Sequence, residues 1–346
     1  MVRDYERSLL CEISARKAVV LNCLEPATLY IGGGTPSLMT PEFIAEVSER
    51  LMSLQGRHSF AEFTVEVNPD DITPEYAGAL RDAGVNRVSM GVQSFCQDSL
   101  VWMNRRHDAE GAVKAFGILR NCGFDNISID LIFGYDPYSG QSSKDVLMEM
   151  WRQDLETAVS LAPEHISAYQ MGIDEGSMLY GMCAGGSYCP PEDDLCAEQY
   201  AGLQAVLGAA GYVQYEVSNF ALPGREAVHN SAYWRRVPYV GLGPAAHSFD
   251  GSSRYWNVAD IRTYTAAGGN PDKIQESEAL TEEDVMVEKV MLGLRTAWGI
   301  PEDLSGINRA AVDRMLSVRA LVRENGRLRI PPEKFFVSDS VIRELI

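Results

Sequence analysis

Nowhere in the 346 residues does an apolar run approach the ~20 residues that a membrane-spanning helix needs. The opening stretch, MVRDYERSLL, lacks the basic-then-apolar order and the small-residue cleavage site of a signal peptide. A soluble, cytoplasmic protein is the expectation. Positive charge is also scarce: thirty Lys and Arg stand against forty-eight Asp and Glu, a formal net charge of -18. Such a surface repels a phosphate backbone and an anionic membrane face, so nucleic acid is not an expected partner. The seven cysteines form no CxxC or CxxxCxxC, and an odd, scattered set reads as reduced thiols. Cys183, Cys189 and Cys196 are the closest group, but their spacing is wider than metal sites usually show. Histidine is rare, at five.

What is present is 46% hydrophobic residues in a chain long enough for one large core and a smaller appended domain. From residue 28, β-branched runs alternate with amphipathic helical stretches, the order of βα units. Strands are predicted at 28–31, 63–67, 87–92, 126–132 and 165–171, after a helical opening at 3–20. Thr40-Pro41 and Thr73-Pro74 read as N-cap and first-turn pairs, and Gly84 and Gly123 as helix stops. The expected class is α/β: a partial barrel of parallel strands, with a mainly helical C-terminal domain. Three domains are expected: 1–172, 173–265 and 266–346, the last set off by Gly268, Gly269, Asn270 and Pro271.

Strands buried on both faces of a parallel sheet are normally apolar throughout. Period two instead puts Thr64, Glu66 and Asn68 on one face of the second strand, and Arg87, Ser89, Gly91 and Gln93 on one face of the third. Asn126, Ser128 and Asp130 follow in the fourth, and His165, Ser167 and Tyr169 in the fifth. Four neighbouring strands with polar rows on one side predict a polar cavity open at the strand C-termini. The first strand closes on Gly32, Gly33, Gly34 and Thr35, where bare backbone can meet a ligand, although three glycines alone are more often a turn. Neither the P-loop ending nor GxGxxG spacing is present.

Taken together, YIGGGTPSL (30–38), VEVNPDDIT (65–73), GVNRVSMGVQSF (84–95), NRRH (104–107), NISIDLIFG (126–134), HISAYQM (165–171), YEVSNFALPG (215–224), HNSAYW (229–234), GLGPAAHS (241–248) and LRTAWGI (294–300) resemble one family. It is the radical S-adenosylmethionine (SAM) group of the oxygen-independent coproporphyrinogen III oxidase type, in its heme-chaperone branch. The resemblance implies a radical-SAM partial barrel, here lacking its first strand, and SAM contacts at Gly32, Gly33, Gly34, Thr35, Glu66, Gln93, Arg105, Asp130 and Gly172. It implies heme as cofactor or cargo, with His229 of HNSAYW as an axial ligand or beside one, and a heme-acceptor protein as partner. His247 is the weaker of the two histidine candidates in 212–249.

The family also holds a [4Fe-4S] cluster on a CxxxCxxC loop, and that loop has no counterpart here. Its expected place is upstream of the glycine run, in sequence before Met1. Cys11 and Cys23 do not replace it, and Cys11 is expected to be buried on its helix. The leading expectation is a heme-binding chaperone. The alternatives are an oxygen-independent coproporphyrinogen III dehydrogenase of porphyrin biosynthesis and a SAM-binding module without a cluster.

Overall fold

The computed structural model describes all 346 residues except Leu24, Thr35 and the side chain of Leu38. Five strands run parallel in chain order: β1 Thr28–Ile31, β2 Glu62–Val67, β3 Arg87–Gln93, β4 Ile127–Phe133 and β5 His165–Gln170. Each lies within one or two residues of its expected span. The helices between them begin where capping chemistry dictates. Thr40 accepts a hydrogen bond from Phe43 N and Thr73 one from Tyr76 N, each followed by a proline that has no N–H to satisfy. Gly84 and Gly123 take φ of 90° and 85°, which lets the chain leave the helix toward the next strand. Outward apolar residues of the strands, among them Val65, Val88, Met90 and Ile129, pack under these helices as the main core.

The sheet does not end at residue 172. β6 Val213–Gln214 and β7 Asn219–Ala221 complete it in the order β1-β2-β3-β4-β5-β7-β6, with β7 antiparallel to β5. The first two expected domains therefore share one sheet. A second sheet holds β8 His247–Phe249, β9 Ser253–Asn257 and β10 Gln275–Ala279, ordered β10-β9-β8, so the expected boundary at 266 is likewise bridged. The glycine break is a close approach and not a loose linker: a Cβ on Gly269 would stand 2.0 Å from Ser8 O.

The opening segment is two helices, Val2–Ala15 and Lys17–Asn22, parted at Arg16, whose side chain turns into a buried cluster. Cys11 is exposed, against expectation, because Ser8, Leu9, Glu12 and Ile13 form the buried stripe and Cys11 falls off it. The C-terminal unit follows helix Glu282–Leu294 with β11 Ile300–Pro301, helix Arg309–Ser317, the hairpin β12 Val322–Glu324 and β13 Arg327–Arg329, and helix Ser338–Leu345. Thr281 and Asp284 form the capping box of the first of these helices. Asn325 and Gly326, both at positive φ, make the tight hairpin turn. Among the described residues no helix is long and apolar enough to cross a membrane.

Candidate functional site

The polar strand faces converge as period two requires. Register pairs Thr64 with Arg87, Glu66 with Ser89, Ser89 with Ser128, Ser128 with His165, and Asp130 with Ser167. Side chains at these positions point into one lumen. Ser89 Oγ donates to Asp130 at 3.3 Å, and Tyr30 OH donates to Glu66 Oε1 at 2.6 Å. Gly33 N–H donates to the other Glu66 oxygen at 2.8 Å, which puts the glycine turn at the rim above the second strand. Gly32 could be nothing larger, since a Cβ there would lie 2.4 Å from the Tyr30 ring and 2.7 Å from the Glu66 carboxylate. Thr35 falls outside the described residues.

Gln93 lies on the side that alternation assigns it, and a bulge brings it there. A bulge between Met90 and Gln93 gives β3 one extra residue against β4, and Gln93 takes φ 69°. Its amide lies where a Gly91 side chain would be, 2.8 Å from that Cβ position. Arg105 Nη2 donates to Asn68 Oδ1 at 3.0 Å and to Gly91 O at 3.1 Å, so Asn68, Gly91, Gln93 and Arg105 form one polar group. The neighbouring His107 fixes this loop by its Nε2 contact to Val92 O, 3.0 Å. Gly172 lies exposed two residues beyond β5, and the atoms nearest its absent side chain belong to Asp174.

Electrostatically the lumen is frustrated. Burial pushes the Asp130 carboxyl up to about 6, against the opposing pull of hydrogen bonds from Ser167 and Ser89 and the charge of Arg87. Burial raises Glu216, beside β7, to about 7. Arg87 is 1% exposed, and its Nε has no hydrogen-bond partner among the described residues. His165 is held neutral by burial, bridging Ser128 Oγ at 2.8 Å and Tyr215 OH at 2.7 Å. Tyr30, Tyr215 and Glu216 were not among the expected cavity residues, and Arg87 was placed on the cavity face without an assigned role. Tyr30 could have been, because Thr28 and Tyr30 share a face of β1 by the same alternation.

Helix Val228–Trp234 covers the edge strand β1. The buried Glu62 carboxylate accepts Val228 N at 2.7 Å and His229 N at 2.9 Å, clamping the helix start. His229 Nδ1 meets Thr28 Oγ1 at 2.8 Å and Nε2 meets Tyr233 OH at 2.7 Å. Its ring stacks on Tyr30, centroids 5.2 Å apart. Burial, helped by Arg87, pushes the imidazole down to about 4, so it is neutral at pH 7 with both nitrogens engaged.

A three-thiolate iron-sulfur cluster does not fit the described residues. Among those described, no three His, Cys, Asp or Glu side chains are grouped to hold a metal, and Cys183, Cys189 and Cys196 range from exposed to buried. Anaerobic reconstitution of the 346-residue chain with iron and sulfide is therefore expected to leave no thiolate-to-iron absorbance and no dithionite-dependent 5'-deoxyadenosine. Stoichiometric deoxyadenosine would show that the expectation is wrong.

The model for the Radical SAM superfamily matches residues 16–147. A heme chaperone HemW of Bacillus subtilis is 35% identical over 277 residues, which cover 79% of this chain and 70% of that one. A Mycobacterium tuberculosis protein of the same name is 32% identical over 321 residues, 92% of this chain and 80% of the other. Among solved structures, the coproporphyrinogen III oxidase HemN of Escherichia coli superposes with a TM-score of 0.72 over 98% of this chain and 84% of its own, at 19% identity, a likeness of fold.

Proposed function

Because the chain belongs to the HemW family of radical SAM proteins, we propose that it binds heme, passes it to an acceptor protein, and holds SAM in the barrel lumen. One observation carries the reading: Tyr30 joins the two places. Its hydroxyl donates to Glu66 in the lumen while its ring stacks on His229 of the HNSAYW helix outside. A ligand that rearranges Glu66 thus acts on the helix expected to carry heme.

The residues suit SAM. Glu66 and Asp130 are acceptors for an ammonium or ribose hydroxyls, Gln93 offers both donor and acceptor, and Arg105 supplies a guanidinium for a carboxylate. Gly32, Gly33 and Gly34 leave backbone bare at the rim, with Thr35 next in sequence and Gly172 at the far side of the mouth. Bound there, SAM would bring its methionine end and its ribose to these groups.

The test is a hemin titration of the full chain. A Soret band is expected that weakens in His229→Ala, since Tyr233 and Thr28 then lose their shared partner, and that stays unchanged in His58→Ala, in the polar turn between Gln55 and Phe60. A protein that yields no Soret band refutes the heme reading. Identical titrations for wild type and His229→Ala remove His229 from it.

A further inference from the structure

Beside the HNSAYW helix lies a cavity of about 250 Å³, lined by Tyr233, Arg236, Tyr239, His247, Phe249, Arg254 and Leu292. Three of its walls are aromatic. Tyr233 meets Tyr239 edge-on with centroids 4.6 Å apart, and Arg236 and Arg254 lie over Phe249 at 5.0 and 5.3 Å. Both guanidiniums share a single carboxylate: Arg236 Nε donates to Glu288 Oε2 at 2.8 Å and Arg254 Nε to Oε1 at 2.9 Å. Two positive charges on one negative leave a surplus cation, in a protein of net charge -18. Arg236 Nη2 is buried and has no hydrogen-bond partner among the described residues, a donor left without an acceptor.

His247 completes the set. It is exposed at the start of β8, rests on Trp256 with centroids 6.1 Å apart, and neither ring nitrogen has a hydrogen-bond partner among the described residues. His229, with both nitrogens occupied, faces the cavity only through Tyr233. We propose that this cavity takes one carboxylate-bearing edge of an iron porphyrin, with His247 as the iron ligand and the Arg236–Arg254 pair as the carboxylate site. The inference rests on the heme reading above and locates its site.

The chemistry matches group by group. A neutral imidazole gives a nitrogen lone pair to iron, aromatic faces pack against the macrocycle, and a guanidinium fork binds a carboxylate. The cavity is smaller than a whole macrocycle, so the opposite edge stays outside, open to an acceptor. His229 becomes a positioning residue that holds Tyr233 as a wall.

Hemin and its dimethyl ester, which lacks free carboxylates, are titrated into the full chain and its variants. His247→Ala is expected to shift the Soret band and weaken hemin binding about tenfold or more, with free imidazole restoring the band position. His229→Ala should weaken binding with the band position kept. Arg254→Gln should weaken hemin and leave the ester unaffected, bringing the two ligands to equal affinity. Unchanged thermal melting of His247→Ala, an exposed position, separates ligand loss from unfolding. If His247→Ala binds with wild-type band and affinity while His229→Ala loses the band, the assignment is overturned and the heme reading stands. A wild type that binds the ester but not hemin also overturns the assignment, and one that binds neither overturns both.

Discussion

Asp130→Asn is expected to abolish SAM binding and at the same time to raise the melting temperature above pH 6. The carboxyl is raised by burial to about 6 from 3.8, so the folded protein favours its protonated form. Between about pH 4 and pH 6 the native state binds more protons than the unfolded chain, and stability falls as pH rises through that window. Below it the group costs nothing; above it the whole penalty is present, up to about 3 kcal/mol for a shift of this size. Asparagine keeps the shape without the charge, which removes the slope and lifts the melting temperature by a few degrees at neutral pH. The lumen loses a carboxylate facing Ser89 and Ser167, and with it the charged acceptor proposed for SAM. In the wild type the same linkage makes SAM affinity fall as pH drops through about 6. Calorimetric titration with SAM and melting curves from pH 4 to 8 read both effects. Wild-type affinity in the variant would end the proposed role, and an unaltered pH slope would end the electrostatic account.

The side chains behind that prediction were legible because strand alternation is local information. Glu66, Ser89, Asp130 and Ser167 fall on the lumen face by counting in twos along strands that the turn and cap residues delimit. Counting put Gln93 on that face as well, but the extra residue and positive φ that bring its amide there are not visible to counting. Arg87 stood on the correct face from sequence, but its burial with an Nε unpartnered among the described residues is a matter of packing that counting does not reveal. The occupied state of His229 depends on Thr28, 201 residues away in sequence, and the freedom of His247 on a hairpin whose partner strand begins at Ser253. Motif resemblance marks a histidine as special, and only packing tells which nitrogen is left for a ligand. The strand pairings that cross residues 172 and 266 were illegible for a similar reason: β7 and β10 are short or polar and leave no periodic signature.

The largest loss of stability is expected from Glu12→Ala. Glu12 is fully buried on the opening helix and accepts four hydrogen bonds: from Arg16 Nε at 2.8 Å, Gly243 N at 2.9 Å, and Asn257 Nδ2 and Tyr264 OH at 2.7 Å each. Arg16, 6% exposed, spends its other nitrogens on Gln275 at 2.6 Å and Asn257 at 2.8 Å. Removing the carboxylate strands a buried guanidinium and three further donors, a defect that costs about 3–5 kcal/mol. Replacing both charges with apolar groups of similar volume, Glu12→Leu with Arg16→Met, should recover much of the loss, because neither residue then leaves a charge behind. Denaturant unfolding of the two single variants and the double variant measures the difference; a double variant no more stable than Glu12→Ala would deny the stranded-charge argument. The cluster also joins the opening helix to the segment that leads into β8, since Gly243 lies four residues before His247. Under conditions where Glu12→Ala remains folded, hemin binding should therefore weaken more than SAM binding, because Glu66, Gln93 and Asp130 stand on β2, β3 and β4, to which none of this cluster's hydrogen bonds runs. Equal losses of both ligands would mean that the two sheets respond as one body.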